Sequence, residues 1–91
     1  MNQDEILCTV YRSSRERDMY LYVKRQEGLE KVPQDLLDRL GTTSEVLTLK
    51  LHAERKLARV RASDVLEAIR SRGYFLQLPP DKHVVHYTQG E

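Results

Sequence analysis

At 91 residues, with 40% apolar and 32% charged residues and a formal net charge of +1, the chain has the composition of one globular domain. That composition excludes a strongly basic protein, and no apolar run approaches the roughly 20 residues of a membrane helix. The polar, acidic residues 1–5 lack the features of a secretory signal, and the single Cys8 excludes an intrachain disulfide. We therefore expect a cytoplasmic protein with no membrane contact.

The first part of the chain predicts a β-hairpin. Residues 6–11 are β-branched, aromatic and free of breakers, and residues 19–24 form a second run of the same kind. Between them lies a polar, arginine-rich segment, residues 12–18, which suits a long hairpin tip. Alternation along the second strand places its aliphatic residues on one face and Tyr20 and Tyr22 on the other. We expect the aliphatic face to be buried and the two tyrosines to face outward.

A short helix and a third strand follow. Residues 34–40 carry leucines at helical spacing after Pro33, which suits a first helical turn, and Gly41 ends the helix. Residues 46–51 alternate between leucine and polar side chains, which predicts a strand with one covered face. The leucines expected to point inward are Leu47, Leu49 and Leu51.

The remaining elements are a second helix and a fourth strand. Residues 52–61 are compatible with a short helical turn or with an irregular basic loop. Residues 62–72 have an apolar stripe at helical spacing, and Gly73 can adopt the left-handed conformation that closes a helix. Residues 74–78 mix aromatic and aliphatic side chains, and two consecutive prolines then end the strand.

The element order β-β-α-β-α-β predicts a single α+β domain, with a mostly antiparallel sheet packed with two helices. We expect both helices to lie on one face of the sheet, because the third strand alternates. Residues 1–80 form the predicted domain. Residues 81–91 are polar except for two valines, so we predict a flexible C-terminal tail.

Short blocks along residues 8–80 form a recognisable series. They are Tyr11-Arg12-Ser13-Ser14, Tyr20-Leu21-Tyr22-Val23, Val32-Pro33, Gly73-Tyr74 and Leu76-Gln77-Leu78-Pro79-Pro80. In this order they resemble the YcgL domain family of small bacterial proteins. The resemblance implies a compact α+β domain of a gammaproteobacterial-type cytoplasm, with no established activity and no catalytic residues to carry over. In some such genomes members lie beside a gene for ribonuclease D, which implies a link to RNA metabolism.

Two kinds of chemical site are disfavoured by the spacing of the candidate residues. His83 and His86, even with His52 and Cys8, lack the spacing of a zinc site, so we predict no metal. Cys8 lies in the most apolar strand, where a free thiol behaves as a small hydrophobe. Because the sequence also has no Gly-rich phosphate loop and no nucleophile elbow, we predict no catalytic residue and no cofactor. A small uncharacterised enzyme is kept as a second alternative.

The cations are distributed unevenly and point to a contact surface. Residues 50–61 contain five cations and one carboxylate, a local net charge of +4. Arginines can pair with phosphate or carboxylate, and outward tyrosines can stack on bases or anchor a protein interface. We predict a monomeric, non-enzymatic accessory or adaptor protein that binds a protein partner, with direct binding of single-stranded RNA as the alternative. The predicted binding residues are Arg12, Arg15, Arg17, Tyr20, Tyr22, Arg55, Lys56, Arg59 and Arg61.

Overall fold

The computed structural model describes residues 5–57 and 59–79, and these contain the predicted elements in the predicted order. The elements are β1 (Ile6–Ser13), β2 (Tyr20–Lys24), α1 (Gln34–Leu40), β3 (Thr43–Leu51), α2 (Ala62–Arg72) and β4 (Tyr74–Gln77). Each strand pair is antiparallel, which confirms the α+β class. Neither helix has the length and apolar composition of a membrane-spanning segment. The predicted tail, residues 81–91, lies outside the described residues.

The N-terminal hairpin forms the centre of the sheet. The strand order is β3-β1-β2-β4, so β1 and β2 are inner strands and β3 and β4 are edges. β1 pairs with β2 through Arg12 opposite Tyr20, and with β3 through Thr9 opposite Thr48. The β1–β3 register shifts between Val10 and Tyr11, a β-bulge that accommodates an extra residue of β3.

The two helices cover opposite faces of the sheet, so the expectation that both lie on one face is wrong. On the α2 side, Cys8, Val10 and Tyr22 pack with the apolar stripe of the helix. On the α1 side, Leu21 and Val23 form a second cluster with Leu40. Because β2 is apolar on both faces, each face must be covered by other apolar residues.

The leucines of β3 share one face but differ in burial. Leu51, Leu49 and Leu47 are the register partners of Ile6, Cys8 and Val10, which places all three on the α2 side. Leu51 is fully buried, whereas Leu47 is 45% exposed. The reason is that α2 packs closest to β4 and β2, so it leaves much of the far edge of the sheet uncovered. The predicted orientation of Leu47 is right, and its predicted burial is wrong.

The C-terminal end of α2 explains how the helix is joined to β4. The helix ends at Gly73, which has a φ of 94° and donates its N–H to the carbonyls of Ala68 and Ile69. This left-handed conformation satisfies carbonyls of the last turn and reverses the chain into Tyr74. The predicted helix stop at Gly73 is therefore confirmed.

Candidate functional site

A groove of about 380 Å³ opens on the α2 side of the sheet, beside the part of β3 that α2 leaves uncovered. Its lining comes from all four strands and from the segment between β3 and α2. The buried part of the lining consists of Val10, Tyr22 and Gln77. The other lining residues, from half-buried to exposed, are Tyr20, Val46, Leu47, Leu49, Arg55, Lys56, Leu57 and Arg59. We call this feature the basic groove.

The cations of the basic groove are carried by an irregular loop, which decides between the two readings of residues 52–61. The described part of this segment contains no helix, and its turn is closed by a hydrogen bond from the Arg55 N–H to the His52 carbonyl. Leu57 and Val60 pack against the apolar cluster under α2 and so anchor the loop. Arg55, Lys56 and Arg59 are exposed on the groove. The loop is thus held by its apolar residues while its cations face solvent.

One predicted cation is not part of this arrangement. Arg61 is exposed at the N-cap of α2 and does not line the basic groove. The structure therefore brings three of the four loop cations in the predicted site to one groove, and leaves Arg61 beside it.

The two tyrosines face the helix, which contradicts the expected outward orientation. Tyr20 and Tyr22 do share one face of β2, as alternation predicts, but that face is the one packed under α2. Tyr22 is only 8% exposed and packs edge-to-face on Phe75, with ring centroids 5.9 Å apart. Tyr20 is half-buried and lines the groove. Of the two tyrosines, only Tyr20 is partly exposed to solvent.

A polar network links the buried part of the groove to one of its cations, Arg59. The side-chain amide of Gln77 lies between Tyr22 and Arg59, and Arg59 can only donate hydrogen bonds. The amide oxygen of Gln77 therefore faces Arg59 and accepts from its Nε at 3.3 Å and its Nη2 at 3.1 Å. The amide nitrogen then donates to the Tyr22 hydroxyl at 2.9 Å. This network fixes the direction of Arg59 from beneath.

Replacing Tyr22 with Phe is expected to lower the free energy of unfolding by about 1–2 kcal/mol, because a buried amide N–H of Gln77 loses its acceptor. The ring contact with Phe75 is retained in this variant, so the change reports the hydroxyl. Urea denaturation of Tyr22→Phe and Tyr20→Phe gives the comparison. The Tyr20 variant should match the wild type within about 0.5 kcal/mol, and equal losses in both would contradict the network.

Burial also raises the pKa values of two groups beneath the groove, the thiol of Cys8 and the hydroxyl of Tyr22. Desolvation raises the pKa of the Cys8 thiol to about 12, against a smaller lowering by a hydrogen bond with the Val23 backbone. Desolvation likewise raises the pKa of Tyr22, with a further increase from Cys8 and a smaller opposing effect of Arg59. Because its thiol is protonated at neutral pH, Cys8 is poorly suited to act as a nucleophile.

The raised pKa of Cys8 predicts a loss of stability in alkali. The folded state holds the thiol proton more tightly than the unfolded chain does. The stabilisation of the folded state that results is therefore complete below about pH 8.5, and it is lost as the pH rises towards the pKa of the folded state. Over this window the free energy of unfolding should fall by up to about 1.4 kcal/mol per pH unit from this group alone. Denaturation curves between pH 8 and 11 should give a shallower pH dependence for Cys8→Ala. Identical slopes would contradict the assignment.

The arginines of the hairpin tip form a second, more polar cavity of about 430 Å³. Arg12, Arg15 and Arg17 line it, and Tyr20 lines both this cavity and the basic groove. The Ser13 hydroxyl donates to the Leu40 carbonyl at 2.7 Å and accepts the backbone N–H of Arg15. The tip is thereby fixed to the end of α1. The structure thus divides the predicted site into two neighbouring parts that meet at Tyr20.

Six residues that line the groove are absent from the predicted site: Val10, Val46, Leu47, Leu49, Leu57 and Gln77. Gln77 could have been recognised, because it is a polar residue within an otherwise apolar predicted strand. The exposure of Val46 and Leu47 follows from the edge position of β3, and the sequence contains no signal for strand order.

The metal site that the spacing disfavoured would draw on Cys8, His52, His83 and His86. In residues 5–57 and 59–79, no three His, Cys, Asp or Glu side chains are grouped so that they could hold a metal ion. His83 and His86 lie outside these ranges.

Comparisons with known proteins assign the chain to a family. The sequence model of the YcgL domain matches residues 8–80. A YcgL domain-containing protein of Pseudomonas putida is 46% identical over 85 residues, covering 91% of this chain and 88% of that protein. Proteins with the same description from Cellvibrio japonicus and Chromohalobacter salexigens are 45% and 47% identical, over 84% and 81% of this chain and 78% and 77% of theirs. The blocks of residues that first suggested the family thus extend into a match over nearly the whole domain, and the chain belongs to the YcgL domain family.

Proposed function

We propose that this protein is a non-enzymatic binding module that docks a partner protein through the basic groove. The observation that carries the proposal is the exposure of two apolar side chains, Val46 at 47% and Leu47 at 45%, beside a cluster of cations. Apolar side chains next to arginine are typical of protein interfaces, where the apolar groups supply buried area and arginine supplies directed hydrogen bonds.

The charge of the loop specifies the kind of partner. Residues 50–61 carry a net charge of +4, and Arg55 and Lys56 are exposed on the groove. A complementary surface therefore combines aliphatic side chains with carboxylates. The proposed partner is a protein with a segment that combines acidic and aliphatic residues. Because the family resemblance implies a link to RNA metabolism, a protein that acts in RNA metabolism is the first candidate.

Direct binding of single-stranded RNA is the weaker candidate. Its support is the cavity at the hairpin tip, where three arginines could contact phosphates. Sequence-tolerant RNA binding also uses exposed aromatic faces on which bases stack. Tyr22 is buried and Tyr20 is half-buried, so the groove offers little stacking surface. Exposed Val46 and Leu47 contribute to a protein contact but add nothing to phosphate binding.

The non-enzymatic part of the proposal is supported by the state of Cys8. The thiol is buried in the cluster under α2, and burial raises its pKa to about 12. A cytoplasmic location belongs to the same proposal, since an unpaired, buried thiol suits a reducing compartment.

Affinity capture from a nuclease-treated bacterial lysate tests the proposal. Capture of the partner should survive the nuclease and fall by about tenfold for Arg55→Ala/Lys56→Ala, as for other arginine-containing interfaces. The matched control is Arg25→Ala/Arg39→Ala, which removes the same charge from exposed positions outside the groove. This control should capture the partner as well as the wild type does.

Two results would contradict the proposal. Equal losses in the groove variant and the control would mean that capture depends on overall charge rather than on the groove. Loss of capture after nuclease treatment would favour the RNA reading. If RNA binds directly, the logarithm of the affinity for a single-stranded oligonucleotide should fall by about 0.7 per log unit of salt for each phosphate neutralised. This dependence on salt should be weaker for Arg55→Ala/Lys56→Ala.

A further inference from the structure

We propose that the partner segment binds as an extended strand along the free edge of β3, with acidic side chains turned towards the basic groove. This inference deepens the proposed function and rests on it. It starts from the position of β3, which pairs with β1 on one side and has no strand partner on its other side within the described part of the chain. An unpaired edge presents backbone N–H and C=O groups that can bind another strand.

The two edges of the sheet are protected very differently. β4 has four residues, and Pro79 follows closely after it. β3 has nine residues and no proline, and its residues 44–48 are all exposed. Proteins usually protect an edge by making it short, charged or interrupted by proline, because a long apolar edge pairs readily with other chains. Apart from its bulge and the charges of Glu45 and Lys50, β3 therefore has the properties of an edge that is used for binding.

The charge beside β3 identifies an acidic partner strand rather than a second copy of this chain. If two copies paired antiparallel along β3, the twofold axis would be perpendicular to the sheet, and both basic grooves would lie on the same face. The cations at Arg55, Lys56 and Arg59 of the two copies would then approach each other, which is unfavourable. An acidic segment gains the same backbone hydrogen bonds and forms opposite-charge pairs instead.

The alternation of a strand defines the sequence pattern of the partner. Every second side chain of an added strand points to the face of Leu47 and Leu49, where the groove and its cations lie. Those positions suit aliphatic and acidic residues. The intervening side chains point to the face of Thr48 and Lys50, which is polar at this edge. The pattern is therefore acidic or aliphatic at alternate positions, with polar residues between them.

Synthetic nine-residue peptides with this pattern provide the test, because they separate backbone pairing from side-chain contact. One peptide has Val and Glu at its odd positions and Thr at its even positions. Two matched peptides carry backbone N-methyl groups, one on its odd residues and one on its even residues. Neighbouring residues of a strand direct their N–H groups to opposite edges, so an added strand uses only one of the two sets. Affinity is measured by fluorescence anisotropy with the full chain, and exchange of the β3 amides by NMR.

The expected result is an asymmetry between the two methylated peptides. One should bind as the parent peptide does. The other should bind at least tenfold more weakly, because the whole set of N–H groups that it would direct to β3 is blocked, and a net loss of one or two hydrogen bonds already corresponds to about tenfold. Exchange of the β3 amides that point away from β1 should slow when the parent peptide binds. The Arg55→Glu/Lys56→Glu variant should lose affinity for the parent peptide and gain affinity for the same peptide with Lys in place of Glu.

The results that would contradict strand addition differ from those that would contradict the proposed function. Equal binding of both methylated peptides without protection of β3 would show that the groove is filled without strand addition, which overturns this inference and leaves the binding module intact. Absence of peptide binding overturns the inference, while the nuclease-treated capture decides the proposed function separately. Protection, in the chain alone, of the β3 amides that point away from β1 overturns it as well. The edge is then occupied by the chain itself, or by a second copy if protection depends on concentration.

Discussion

Replacing Leu51 with Ala is expected to lower the free energy of unfolding by about 2–5 kcal/mol, a large share of the total for a small domain. Leu51 is fully buried at the end of β3, in the cluster that also contains Val65 and Ile69 of α2. Removing three methylene-sized groups there sacrifices their transfer from water and leaves a cavity that the sheet cannot close. Guanidinium denaturation, monitored by circular dichroism, measures the loss.

Leu47→Ala is the matched control for this prediction, since it makes the same chemical change in the same strand. The Leu47 side chain is 45% exposed, so its truncation should cost less than about 1 kcal/mol. A comparable loss in the two variants would mean that the groove side of β3 is more covered than the structure shows. The pair therefore tests the uneven cover that α2 gives to the sheet.

Replacing Gly73 with Ala is expected to cost about 2–4 kcal/mol, from two separate effects. The residue has a φ of 94°, a conformation that an L side chain adopts with strain. An added Cβ would also lie 2.5 Å from the Cβ of Lys31, so the loop before α1 would have to move. Thermal and chemical denaturation of Gly73→Ala give the total cost.

Gly28→Ala separates the two effects. Gly28 also has a positive φ, 57°, but an added Cβ there would meet no atom within 4 Å. This variant should therefore show only the conformational strain, about 1 kcal/mol. If the Gly73 variant were no less stable than the Gly28 variant, the close packing of Lys31 against the end of α2 would be contradicted.

The secondary structure could be predicted because its signals are local. The β-branched run of β1, the leucine spacing of α1 and the helix stop at Gly73 each depend on a few neighbouring residues. All six elements form where the sequence places them, within three residues at each end. The same local signals, taken together, also identify the family.

The faces of the sheet could not be predicted, because β2 is apolar on both sides. Alternation shows that Leu21 and Val23 share one face and Tyr20 and Tyr22 the other, but it does not show which face is covered. Both are covered, by α1 and α2 respectively. A tyrosine can be buried when its hydroxyl finds a partner, and Tyr22 finds Gln77, 55 residues later in the chain.

The candidate site was predicted in part, for the same reason. The cations of the loop are visible as a local excess of charge, and three of them do line the groove. Their apolar neighbours Val46 and Leu47 acquire their exposure from the strand order, which places β3 at an edge. Strand order depends on contacts between distant parts of the chain, and a single sequence does not encode it as a local pattern.

The central position of the hairpin sets the order in which the sheet can assemble. Tyr20 meets Arg12 across a short turn, whereas Thr48 is separated from its partner Thr9 by 39 residues. Closing the longer loop costs roughly 1.4 kcal/mol more in chain entropy. Both flanking strands also need the inner pair as a template, so early formation of β1 and β2 is the favourable route for refolding. Substitutions in the inner pair should accordingly slow refolding, and those in the flanking strands should mainly accelerate unfolding.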